Sequence, residues 1–185
     1  MALTRLGPNQ SINLATNTTG NLNLASQVTG TLPAANGGTG ATTFSPGKIG
    51  QVVQDSHEAE TNVTSDSFTG INLSVNITPS ATSSKVLVMV SLEGVGQHSG
   101  GTGGACRITK GGSELKQFTN SSADDNNTSE NFYASSETCV YIDSPSSTSQ
   151  LTYAVEAKRR TSSGAWRMNA ESSSFSSITV WEILA

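Results

Sequence analysis

From Ile71 to Thr78 the chain reads INLSVNIT, and every second residue is apolar. Ile71, Leu73, Val75 and Ile77 share one face of an extended chain; Asn72, Ser74, Asn76 and Thr78 share the other. A period of two fits a half-buried strand and no helix. LTYAVEA repeats the pattern with Leu151, Tyr153, Val155 and Ala157. Two further strings are apolar on both faces. In KVLVMVSLE, Val86, Val88 and Val90 point one way and Leu87 and Met89 the other; FSSITVWEIL ends the chain in the same manner. A strand that seeks cover on both sides needs the core on one and a second body on the other. Val86, Leu87, Met89, Trp181 and Ile183 are therefore the candidate contacts between subunits of an oligomer.

More strands are expected at Gly50–Gln54, Ala105–Thr109, Leu115–Thr119, Asn131–Ile142 and Ala165–Met168. Proline followed by small hydroxyl residues turns the chain back twice, at Pro79–Ser83 and Pro145–Ser149. No helical stripe with caps interrupts the series. The expected fold is all-β, an antiparallel sandwich of jelly-roll type over residues 46–185. The terminal strand Ile178–Leu184 needs a partner, and Gln51–Val53 is the candidate. Trp166 alternates with Met168 and Ala170, which places it in the core.

Residues 1–45 are different. In blocks of ten they read SINLATNTTG, NLNLASQVTG and TLPAANGGTG, with Ile12, Leu22 and Leu32 second and Thr-Gly closing each block. A ten-residue period is no heptad. So few apolar residues per block cannot build a core within one chain, and units of that kind must stack or associate. The segment is expected to be an extended stalk ordered against copies of itself; a flexible linker is the plainer alternative.

Composition excludes several partners. Charged residues make up only 13 % and the net charge is −4, so a basic surface for nucleic acid is missing. The longest apolar run, Val86–Val90, is too short to span a membrane. Cys106 and Cys139 lack metal-ligand spacing and read as two structural thiols, able to bridge only if their strands are neighbours.

The motif VTGTLPAANGGTG resembles a short Gly/Thr motif of bacteriophage tail-fibre and related virion fibre proteins. MALTRLGPNQSINL is similar to the N-termini of small fibre proteins from marine and cyanobacterial phages. The strings GQVVQ, ITPSATSSKVLVMVSL, DSPSSTSQLTYAV and ITVWEI resemble a β-rich domain of such proteins. The resemblance implies a virion protein made in the bacterial cytoplasm. It implies a homotrimer joined to other virion proteins through its N-terminal segment, with Leu3, Ile12, Leu14, Leu22, Leu24 and Leu32 as anchor or stalk residues. A C-terminal β head faces outward for host adhesion. A capsid or neck decoration protein without receptor binding is the alternative, and a polysaccharide depolymerase the weakest reading.

Little in the chain suggests catalysis. A glycosidase needs two carboxylates across a cleft, and the adjacent pair Asp124-Asp125 lies in a polar run typical of a solvated loop. Asp55, His57, Glu58 and Glu60 cluster after a strand, but His57 and His98 each lack a nearby Cys or second His for zinc. The glycine-rich GVGQHSGGTGGA lacks the Lys-Ser/Thr of a phosphate loop and reads as a loop tip. No enzyme activity, cofactor or metal is expected. Host-surface glycan contact is expected instead on loops carrying His98, Asp124, Asp125, Lys158, Arg159 and Arg160.

Overall fold

The computed structural model describes residues 48–98, 103–121, 131–133, 136–160, 164–170 and 173–184. The chain divides into two units, Met1–Pro46 and Gly47–Ala185. The anchor candidates Leu3 to Leu32, and Asp124 and Asp125, lie outside the described residues.

The second unit holds twelve strands in this order: β1 (Ile49–His57), β2 (Thr61–Val63), β3 (Thr69–Ile77), β4 (Lys85–Leu92), β5 (Gly96–His98), β6 (Gly104–Lys110), β7 (Ser113–Ser121), β8 (Asn131–Tyr133), β9 (Glu137–Asp143), β10 (Leu151–Arg159), β11 (Ala165–Met168) and β12 (Ser176–Ile183). It is all-β, every pairing is antiparallel, and no helix occurs among the described residues.

The long strands pair from the outside in. β1 pairs with β12, β3 with β10, β4 with β9 and β6 with β7. Successive pairs alternate between two sheets, ordered β1-β12-β4-β9 and β3-β10-β6-β7. The pairing expected for the chain's last strand is present: Val52 lies opposite Trp181 and Val53 opposite Val180. The two sheets share one core. Ile71, Leu73, Val75 and Ile77 of β3 meet Val86, Val88 and Val90 of β4, Ile108 of β6, Val155 of β10 and Ile178 and Val180 of β12, all buried. Alternation along the sequence maps directly onto this interior.

Two turns show why particular residues stand where they do. β6 and β7 join through Gly111 and Gly112, with φ of +54° and +80° between paired Lys110 and Ser113. Two consecutive positive φ values suit a tight hairpin whose twist matches its strands, and glycine adopts them without strain. Asn72 (φ +61°) sits where the β3–β10 register slips, and asparagine is among the few side chains that tolerate this conformation.

The connections divide between two poles. At one pole the chain enters at Lys48, the β3–β4, β6–β7 and β9–β10 turns lie, and β12 ends. Lys48 accepts a backbone hydrogen bond from Leu184 there (2.7 Å). The four remaining connections cross at the other pole, about 25 Å away along strands of this length. Each of those crossings contributes one short strand, and the four form a third sheet, β2-β11-β5-β8.

Three expectations need correction. Asn131–Ile142 is not one strand. Asn131–Tyr133 pairs with β5 in the third sheet, whereas Glu137–Asp143 pairs with β4, so the chain changes sheet between them. The glycine-rich stretch after Gly94 is not only a loop tip, because Gly96–His98 forms β5 and pairs with β8 and β11. Val86 cannot be an intersubunit contact. It points into the sandwich and is fully buried, whereas Lys85, Leu87, Met89 and Ser91 of β4 face outward.

Candidate functional site

The third sheet collects the loop residues singled out in the sequence. His98 pairs in register with Ala165 of β11 and Asn131 of β8. Lys158 and Arg159 are the last residues of β10 rather than loop residues, and the Arg160 amide donates to the Gly103 carbonyl (2.8 Å). Residues that are far apart in sequence thus converge because every second connection of the wrapped chain crosses here.

Arg159 is spoken for. Its Nε donates to Asp66 (2.7 Å) and its guanidinium to the Gly164 carbonyl (3.0 Å), while its amide donates to the Ser65 carbonyl (2.9 Å). Its role is to fasten the β2–β3 and β10–β11 connections, which corrects its assignment to host contact. Arg167 makes a comparable pair with Glu60 (2.5 Å). Lys158 lies over the Phe68 ring (4.8 Å), and Arg107 over the same ring (4.2 Å). Burial would lower the Arg107 pKa, but hydrogen bonds to Glu156 and Glu114 raise it, so Arg107 is a structural cation. Arg160 is exposed, and with Lys158 it forms the cationic part of this pole that engages no carboxylate among the described residues.

The sheet is held to the sandwich by residues that the sequence did not advertise. Asn169, buried and at φ +54°, donates from Nδ2 to the carbonyls of His57 (2.8 Å) and Ala59 (3.2 Å). Its amide donates to the Glu93 carbonyl (2.9 Å), and its Oδ1 accepts from Ser176 (2.6 Å). One residue, through its side chain and its amide, therefore ties three connections. Asn169 follows Met168 at the close of a short apolar strand, a place where asparagine signals a turn, and that was its only trace in the sequence. Trp166 is buried as expected, and its indole packs so close to Gly104 that a Cβ there would overlap the ring.

The acidic cluster is dispersed into structure. Asp55 accepts from the Ser74 amide (2.9 Å), which links β1 to β3, and Glu60 serves Arg167. Among the described residues, no three His, Cys, Asp or Glu side chains gather as metal ligands. Cys106 and Cys139 are free thiols on opposite sheets. Burial pushes the Cys106 thiol up to about 12, and burial also raises that of Cys139, so both stay protonated and poorly nucleophilic. Tyr153 and Lys110 both donate to Asp143 Oδ2 (2.7 Å each) across the interior. Burial and the Asp143 carboxylate raise the Tyr153 pKa. These groups hold the sandwich; they present no nucleophile beside a base.

A second surface lies on the outer side of β1-β12-β4-β9. Leu87, Met89, Trp181 and Ile183 share it, as the pairings Trp181–Leu87 and Ile183–Lys85 require. The sequence reading missed four more members: Ile49, Val52, Val140 and Ile142. Val140 and Ile142 were legible as the alternate positions to Cys139 and Tyr141, but the strand was drawn too long to be phased.

No protein-family model and no curated protein matches the chain. Among solved structures, dimeric latent PorU from Porphyromonas gingivalis is similar over 80 % of this chain at 10 % identity and a TM-score of 0.27. The chain spans 15 % of that protein, and a likeness at this score carries no argument about fold or function.

Proposed function

We propose that this chain is a structural fibre protein of a bacteriophage virion. Residues 1–45 form its stalk or virion anchor, and residues 46–185 form a trimeric head that adheres to the host surface without chemistry of its own. The polarity of the β domain carries this reading. The chain enters at one pole, and the opposite pole bears the four-stranded cap with Lys158 and Arg160 beside it. A head on a stalk needs this arrangement, since what is to touch a host must lie away from the point of attachment. The strand order also supports a jelly roll: four nested antiparallel pairs alternate between two four-stranded sheets, and that architecture recurs in viral and lectin domains. The glycine- and threonine-rich repeats and their resemblance to phage fibre motifs supply the virion context.

Binding fits the cap better than catalysis does. Its exposed side chains include Asn62, Thr64, Glu58, Glu60, Asp66 and Arg160, carried on and between paired strands. Single sites of about 1 mM, about −4 kcal/mol each, hold firmly when three identical copies act together. A decoration protein without a receptor is the second reading, favoured by the small number of unpaired charges at the cap.

The test is made on the virion. Gold-labelled antibody against the head should decorate projecting fibres on intact particles. Lys158→Ser with Arg160→Ser should reduce adsorption to host cells, most at low salt, where charges are least screened. Labelling with unchanged adsorption would leave the decoration reading. No labelling on any particle would overturn the fibre assignment.

A further inference from the structure

We propose that the outer face of the β1-β12-β4-β9 sheet is the surface through which copies of this chain associate. Soluble sheets of this kind usually present an alternation of buried and solvated residues, with polar side chains outward. The partner sheet obeys: β3 turns Asn72, Ser74 and Asn76 outward, and β10 turns Thr152, Glu156 and Lys158. The β1-β12-β4-β9 sheet does not. Ile49 is 52 % exposed, Val52 53 %, Met89 36 %, Val140 59 % and Ile142 54 %.

Register makes these residues one patch. Val52 lies opposite Trp181, Trp181 opposite Leu87, and Leu87 opposite Ile142, so one apolar row crosses all four strands. The next row runs Gln54, Thr179, Met89 and Val140, and Gln54 donates to Thr179 (2.8 Å), so its only polar members satisfy one another. Lys85 closes the last row beside Ile183 at the entry pole. Four strands about 4.8 Å apart and five residues at about 3.3 Å give an apolar area of about 300 Å². An exposed patch of that size marks an interaction surface, yet it is smaller than the roughly 800 Å² that each partner of a stable complex commonly buries.

The occupant that fits is another copy of this chain. The patch is apolar in both halves, with Lys85 as a charged side chain at the end of its last row. The β1/β12 half of one copy can therefore cover the β4/β9 half of the next, a head-to-tail contact that forms a ring when the rotation between neighbours closes. The chain itself argues for the same neighbour a second time. Its ten-residue repeats hold apolar residues that one copy cannot bury, and they lead into the domain at Lys48, one residue before Ile49 of the patch. The inference rests on the fibre reading only for the number of copies, three.

The experiment uses the full chain. Light scattering on the wild type at about 100 µM should give three chains of 19.1 kDa. Val140→Asp and Val52→Asp each place an uncompensated charge in the contact. Each should weaken association at least about 30-fold, with the β-type circular dichroism unchanged. Asn72→Asp adds the same charge to the polar outer face and should leave the mass unaltered. Because an aspartate could disturb folding, a photocrosslinking residue at position 89 gives a second measure and should capture another copy of the chain. A monomeric wild type overturns the interface. So does wild-type mass in both aspartate variants, or crosslinking only within one chain. None of these results bears on fibre labelling of particles, so failure of the interface and failure of the fibre reading are separable.

Discussion

Glu182→Gln should cost the domain about 2 kcal/mol at neutral pH and nothing near pH 2. Glu182 is the one carboxylate in the interior phase of β12, alongside Ile178 and Val180, and it is 1 % exposed. Both the amide and hydroxyl of Ser80 donate to its Oε1 (2.6 Å each), and Gln51 donates to its Oε2 (2.8 Å). Burial alone would raise its pKa, but these donors hold it down to about 2. The fall from 4.5 to about 2 corresponds to about 3 kcal/mol carried by the ionised form, of which the variant loses about 2 kcal/mol because the glutamine carbonyl still accepts from one donor set. Because the folded pKa is lowered, the contribution is complete above the unfolded value of about 4.5 and is lost as pH falls towards 2. In the variant, the glutamine amide must face one of the two donor sets, and its partners lose a charged acceptor. Urea unfolding followed by tryptophan fluorescence at one fixed protein concentration measures both arms, since stability of an oligomer depends on concentration. The midpoint of the variant should fall by about 1 M at pH 7 and close on wild type only as the pH reaches about 2, where the folded Glu182 carboxylate takes up its proton. An equal gap between the two proteins at both pH values would refute the reasoning, because the loss would then be one of packing rather than of charge.

Gly104→Ala should destabilise the head by about 3 kcal/mol and shift its tryptophan emission, because the added methyl must displace the buried Trp166 indole. Tyr153→Phe should lose about 1–2 kcal/mol in the same unfolding assay, since Asp143 keeps only its Lys110 donor. A neutral thiol reagent should find no reactive cysteine in the native protein and two after denaturation; rapid labelling of the native state would contradict the burial of Cys106 and Cys139.

Much of the sandwich was legible because its strands alternate without interruption. Ile71–Ile77 and Leu151–Ala157 state their inner faces outright, and the partner of the last strand followed from the need of Ile178–Leu184 for a strand beside it. What failed was local. β5 and β8 are three residues each, too short to show a period, and their strand character comes from pairing with segments far away in sequence. Asn169 illustrates the same limit. Its partners are His57, Ala59, Glu93 and Ser176, and nothing within a few residues of it announces that role. Arg159 was misread for a related reason: in Lys158-Arg159-Arg160 the three cations look alike, and only the fold brings Asp66 to the middle one.

The two outer faces show how an identical pattern acquires two meanings. Alternation tells which residues share a side, but when both sides are apolar it cannot say which is the core. β4 posed that question, and the structure answers it with Val86, Val88 and Val90 inward and Leu87 and Met89 outward. The choice follows from length and neighbours. Val86, Val88, Val90 and Leu92 face the other sheet over the whole strand, so inward placement buries four residues, whereas the opposite phase offers Leu87, Met89 and the polar Ser91. Each buried aliphatic side chain is worth roughly 1.5–3 kcal/mol, so the phase with two more apolar residues wins. Leu87 and Met89 are then left over, and β12 and β9 leave Trp181, Ile183, Val140 and Ile142 beside them. Three strands that each settle their own phase by burial thus deposit their second-best apolar residues on one common face. That face is where a second copy has most to gain.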